Sequence, residues 1–120
     1  MNDLAAALVG HLVGDYLLQD DWMAKEKRTR SAVCALHAGL WTVAVCVFTG
    51  WFAWPAVLFL FLTHFLQDRT GFARWWMTAC VNQWDFAFGP LGPWSIIVVD
   101  NTWHAVALWI TALPPAHVTR

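Results

Sequence analysis

The sequence predicts an all-α integral membrane protein: a four-helix bundle with a short interfacial helix between the third and fourth spans, all in one domain over residues 1–120. Three observations predict it. First, 59% of the residues are hydrophobic and only 12% charged, against roughly 25% charged in a soluble domain. Small domains bury the smallest share of their area, so a soluble chain of this length cannot hide that much apolar surface. Second, four apolar runs approach the ~20 residues that cross a bilayer. Third, six of the seven basic residues fall in two of the connections between those runs.

The runs cover about residues 4–18, 32–51, 54–67 and 94–113. The first and third are short and must lean on neighbours. Asp3 stands where a signal peptide would carry basic residues, so the first run reads as a retained span. Between the first and second lies "KEKRTR" (25–30), and Arg69 and Arg74 follow the third. Positive charge stays on the cytoplasmic side, which predicts a multi-pass protein of the cell (inner) membrane, N-out and C-out. Gly71 is expected to end the third helix, and the Gly-Pro pairs before Trp94 to make a turn. Residues 72–84 mix aromatics with Arg74, Asn82 and Gln83, which suits a short helix at headgroup depth. Trp22, Trp51, Trp54 and Trp94 fall at span ends, as an aromatic belt requires. Cys34, Cys46 and Cys80 form no C-x-x-C pair and read as free thiols, buried or nearly so. A net charge of −1 gives no electrostatic footprint for nucleic acid.

Ionisable groups interrupt these apolar runs in a pattern. "HLVGD" (11–15), "HFLQD" (64–68) and "DNTWH" (100–104) each hold a histidine and an aspartate four apart, hence on one helix face. Composition alone would supply about 0.6 such pairs, yet three occur, each on a different run. His37 lies alone on the second. With helices running in alternating directions, His11, Asp15, His37, His64, Asp68, Asp100 and His104 fall in one layer toward the cytoplasmic ends. The first and third runs carry H-x-x-x-D in the same order, and the second and fourth each add a histidine. That is the pattern of two parallel helix pairs about a pseudo-two-fold along the membrane normal, with half-sites that face each other.

Unpaired carboxylates in a membrane are costly and mark function by default, although an intramembrane histidine also serves simply to hold helices together. Imidazole and carboxylate without thiolate suit zinc, manganese or iron, so one or two divalent transition-metal ions are expected. All seven residues are candidate ligands. Asp15, Asp68 and Asp100 are the candidate catalytic carboxylates, as base or as bridge between ions, and Gln19, Gln67 and Asn101 the hydrogen-bond partners behind the ligands. Cys34, one turn before His37, reads as a packing thiol, His117 as solvated, and Asp20 and Asp21 as partners of the basic loop. The chain lacks H-E-x-x-H, and its single glutamate, Glu26, excludes a Glu-x-x-His di-iron bundle. Ser31 and Ser95 read as helix caps, not nucleophiles. What remains is water activated by a bound cation.

The stretches "HLVGDYLLQDDWMAKEK", the isolated His37, "HFLQD" and "DNTWH" resemble an uncharacterised bacterial and phage family, domain of unknown function 3307. The resemblance runs from Leu8 to about Leu108. It extends distantly to membrane-bound metal-dependent hydrolases, although their H-R and H-S signatures are missing. It implies a phage or prophage origin and no particular activity. The expected function is a membrane-embedded metal-binding protein acting as a metal-dependent hydrolase at the cytoplasmic leaflet, on an amphipathic or cytosolic small molecule. Two alternatives use the same residues: a divalent-cation or proton transport or binding protein, for which the apolar outer halves of the runs favour a homo-oligomer over a monomer, and a non-catalytic phage membrane protein (a holin-like or host-exclusion factor).

Overall fold

In the computed structural model, residues 3–114 are described; they are helical throughout, with no strand among them. The principal helices are α1 (Asp3–Leu12, continued by a π-helical turn Val13–Leu17), α3 (Ser31–Thr49), α4 (Trp54–Thr70) and α7 (Trp94–Ala112). Three short helices complete the chain: α2 (Asp21–Glu26), α5 (Phe72–Trp75, continued by a π-helical turn Trp76–Cys80) and α6 (Trp84–Phe88). In the principal set α1 packs on α3, α3 on α4, α4 on α7, and α7 back on α1, which closes a ring of four. Inside the ring Ala7, Trp41, Val45, Cys46, Leu60 and Leu108 form the buried core.

Local chemistry explains several boundaries. Asp20 caps α2 by accepting from the Met23 N–H at 2.8 Å, which satisfies one of the amide donors that a helix start leaves open. It therefore does not serve the basic loop as expected. Pro55 sits in the first turn of α4, where a missing N–H costs nothing. Gly71 ends α4 in the left-handed conformation at φ 65°, its N–H donating to the Gln67 carbonyl, as the sequence suggested. Helix α4 thus runs three residues past the expected 67.

The tightest packing lies between α1 and α3. A Cβ on Gly10 would stand 2.7 Å from the Val45 Cα, and one on Gly14 would stand 2.9 Å from the Trp41 Cα. Gly10 and Gly14 form a G-x-x-x-G face, which lets two helix backbones approach closely. His11 and Asp15 follow these glycines directly, so the close approach carries them onto α3.

Two expectations change in detail. The first helix is α-helical only to Leu12, after which Leu18 N–H donates to the Val13 carbonyl in a π turn. The single helix expected over 72–84 is divided, because α5 passes into a π turn and Asn82 (φ 55°) breaks the chain before α6. Cys34 and Cys46 are buried, whereas Cys80, on this linker, is exposed. Trp22, Trp54 and Trp94 are exposed at helix ends, and Trp51 packs against the core.

One helix, Ser31–Thr49, is long and apolar enough to cross a membrane. Helix α7 has equal length but carries Asp100, Asn101 and His104, and α4 is 17 residues long. The outward faces of all four principal helices are nonetheless apolar: Leu8 and Leu12, Val43 and Val47, Leu58 and Leu62, Ile97 and Ile110 are exposed. His117 lies outside the described residues.

Candidate metal centre

The ring of helices brings seven predicted residues into one cluster above the apolar core. His11, His37, His64, His104 and Asp68 are buried, Asp15 nearly so, and Asp100 keeps a side chain 26% exposed. Each comes from a different turn of α1, its π-helical continuation, α3, α4 or α7, so no local segment makes the site alone. The π turn holds Asp15; such turns often sit where a helix must aim a side chain.

The ring nitrogens crowd around carboxylate oxygens. His37 Nε2 and His64 Nε2 lie 2.9 Å apart. Asp68 Oδ2 is 3.1 Å from the first and 3.2 Å from the second. Asp15 Oδ1 is 3.2 and 3.4 Å from the same two atoms, yet it lacks a hydrogen bond of proper geometry. Two ring nitrogens carry at most one proton each, too few to bridge five such contacts. Side chains that aim at a common centre approach one another in this way. Bonds of 2.0–2.2 Å to a tetrahedral cation put its ligand atoms about 3.3–3.5 Å apart, close to the separations here.

Asp68 faces two groups. Its Oδ2 meets His37 and His64, while Oδ1 lies 3.3 Å from His104 Nε2, which in turn lies 3.1 Å from Asp100 Oδ2. Three sets among the described residues have ligand atoms close enough to hold a metal ion: Asp15, His64 and His104; His37, His64 and Asp68; Asp68, Asp100 and His104. Asp68 joins the last two. The H-x-x-x-D repeat is therefore unequal in use, since Asp68 belongs to two of the sets and Asp15 to one.

His11, also an expected ligand, has one ring nitrogen engaged by a neighbouring indole. Its Nδ1 accepts the Trp41 indole N–H at 3.0 Å and lies 3.4 Å from Asp15 Oδ2, and it belongs to none of the three sets. The indole takes up the Nδ1 lone pair, which leaves Nε2 as the one nitrogen of His11 through which a cation could be met. Cys34 donates its thiol to the Phe65 carbonyl at 3.5 Å and so packs against α4.

Two functional residues escape sequence reasoning. Trp41, fully buried, stacks on His64 with centroids 4.1 Å apart and 19° between planes. His104 also stacks on His64, again at 4.1 Å. These two contacts orient His64, whose buried Nδ1 has no hydrogen-bond partner. The tryptophans read as interfacial anchors, and Trp41 is not one. Lys27 is the second: its ammonium donates to Asp68 Oδ2 at 2.9 Å. Burial pushes the Lys27 pKa down, but the carboxylates of Asp68, Asp15 and Asp100 more than offset this and raise it. With the imidazoles neutral, as metal ligands must be, three carboxylates against one ammonium leave a surplus of two negative charges, which a divalent cation would cancel.

The residues expected behind the ligands are mixed. Gln19 donates to the Asp15 main-chain carbonyl at 3.5 Å. Asn101 donates to the Tyr16 hydroxyl and to the Ile97 carbonyl. Gln67 Oε1 is buried without a partner and borders a cavity beside Asp68.

No curated protein matches the chain, and no solved structure does. Residues 4–113 match one family, described as "Protein of unknown function (DUF3307)". That span takes in every helix that contributes to the cluster, and the chain belongs to this family.

Proposed function

We propose that the protein is a membrane-embedded, metal-dependent hydrolase whose centre holds one or two divalent transition-metal ions (zinc, manganese or iron). The observation that carries the reading is the placing of Asp68, whose two oxygens face two separate sets of imidazole nitrogens at 3.1–3.3 Å. His37, His64, Asp15 and Asp68 would hold one ion, and Asp68, His104 and Asp100 the other. His11 would position Trp41 by accepting its indole N–H. A cation so held lowers the pKa of water toward 7 and polarises a carbonyl or phosphoryl oxygen.

The chain's own groups supply the rest. Asp100 is the most open carboxylate of the cluster and borders the cavity, which suits it to take a proton from the attacking water. The water oxygen joins the acyl or phosphoryl centre, the bond to the leaving oxygen or nitrogen breaks, and the proton returns to the leaving atom. Lys27 holds Asp68 on the side away from His104.

The membrane reading rests on the apolar outward faces and the basic connections. Contiguous apolar surface of this extent marks a partner, and here the partner is the lipid bilayer. Four spans, N-out and C-out, would put the cluster toward the cytoplasmic leaflet. A phage or prophage origin belongs with this reading. A second reading, proton or cation binding and transport, draws on the 2.9 Å His37–His64 contact, which a shared proton would also explain. The dry core beneath it, Ala7, Val45, Leu60 and Leu108, offers no polar path onward.

The test is turnover. Detergent-purified full chain, loaded with zinc or manganese, should hydrolyse members of a panel of activated carboxylic and phosphoric esters. Asp100→Asn should lower the rate by about 10²–10⁴, the usual contribution of a general base. Metal-loaded protein without turnover on any member would contradict the enzyme.

A further inference from the structure

Beside the cluster, on the side of the basic connections, lies a cavity of about 150 Å³. Lys27, Arg28 and Arg74 line it, Asp68 and Asp100 border it, and Ile96 and Ile97 form an apolar wall. Among the described residues no carboxylate pairs with Arg28 or Arg74. Arg74 Nε and Gln67 Oε1 are buried and without partners. Burial first, and then the charge of Arg28, pull the Arg74 pKa down. The Arg28 guanidinium passes over Gly71, where a Cβ would stand 2.6 Å from Nη2. The Arg74 guanidinium lies 5.8 Å from the Phe88 ring centroid.

We infer that this cavity binds the phosphoryl group of an amphipathic phosphate ester, with Arg28 and Arg74 on the phosphate oxygens and the apolar part of the molecule along Ile96 and Ile97. Guanidinium groups match phosphate oxygens in pairs, and two of them without counter-ions are a strong local attraction for an anion. The apolar wall distinguishes an alkyl phosphate from free phosphate. The inference narrows the substrate of the proposed hydrolase and rests on that reading only for the fate of the bound phosphate. Binding itself needs the cleft alone.

The experiment uses full-length protein in a non-ionic detergent. Equilibrium binding of inorganic phosphate and of dodecyl phosphate is measured by calorimetry, and bound metal by elemental analysis of the same samples. We expect dodecyl phosphate to bind at least tenfold more tightly than inorganic phosphate. Arg28→Gln/Arg74→Gln should weaken both ligands at least tenfold with bound metal unchanged, and Arg74→Lys should retain part of the affinity. Equal binding by wild type and the double variant at normal metal content overturns the cleft while the metal centre stands. Failure of dodecyl phosphate to bind wild-type protein does the same. Equal affinities for the two phosphates overturn the amphipathic substrate. Protein without metal that still binds dodecyl phosphate through both arginines supports the cleft and removes the hydrolase.

Discussion

Asp68 is the residue on which the cluster turns, because it alone meets both nitrogen sets and also accepts from Lys27. A carboxylate oxygen has two lone pairs, so Oδ2 can hold the ammonium and still face the imidazoles. Removing Lys27 takes a positive charge away from the centre, so Lys27→Met should leave metal content unchanged or raise metal affinity, read by competition with a chelator. Loss of metal in that variant would mean that Lys27 builds the site. His64 and His11 should behave differently although the sequence pairs them. His64→Ala removes an atom common to two of the three candidate sets and should cost most of the bound metal. His11→Ala should lower metal content by a factor of a few at most, because His11 acts through Trp41, which stacks on His64. Equal losses measured by elemental analysis would restore His11 as a ligand. Sequence spacing could not draw this distinction. A period of four puts His11 and Asp15 on one face, but which nitrogen is occupied depends on Trp41, thirty residues away.

At the scale of the element, the approach of α1 to α3 sets the cluster's geometry. Gly14→Leu would drive a side chain into the backbone of Trp41. Overpacking of this kind costs roughly 1–3 kcal/mol; it should lower thermal stability and metal content together, since Asp15 follows Gly14. Gly39→Leu, at a position where a Cβ would meet nothing, is the control and should do neither. A stable Gly14→Leu protein with full metal content would show that this contact is dispensable. The four principal helices were legible from the apolar runs, and the end of α4 from Gly71. The π turns were not, because a one-residue widening leaves no mark in hydrophobic periodicity. The break at Asn82 was hidden for a similar reason, as a polar residue in an aromatic stretch also suits an interfacial helix.

Across the whole molecule, the polar layer, the basic connections and the cleft share one end of the bundle, and the apolar core occupies the rest. The three histidine–aspartate pairs made that layer legible. Lys27 and the cleft were not legible, because basic residues in a loop also satisfy the rule for orientation. The proposed topology gives a direct expectation from a native residue. Exposed Cys80 should resist a membrane-impermeant maleimide added outside intact cells and react once the cells are opened. Phe52→Cys in a Cys80→Ser background should react from outside. Labelling of Cys80 in intact cells would reject the orientation.

The most direct test of the account is the metal content of the purified chain. Elemental analysis of protein prepared without chelators should find about one or two equivalents of zinc, manganese or iron, as a site of imidazole and carboxylate ligands implies. Asp68→Asn, which keeps the side-chain shape and removes the bridging charge, should lose most of it while remaining helical by circular dichroism. Protein that carries no metal and takes up neither zinc nor manganese would contradict the central claim, and would leave the seven residues as a proton-sharing network that holds the helices together.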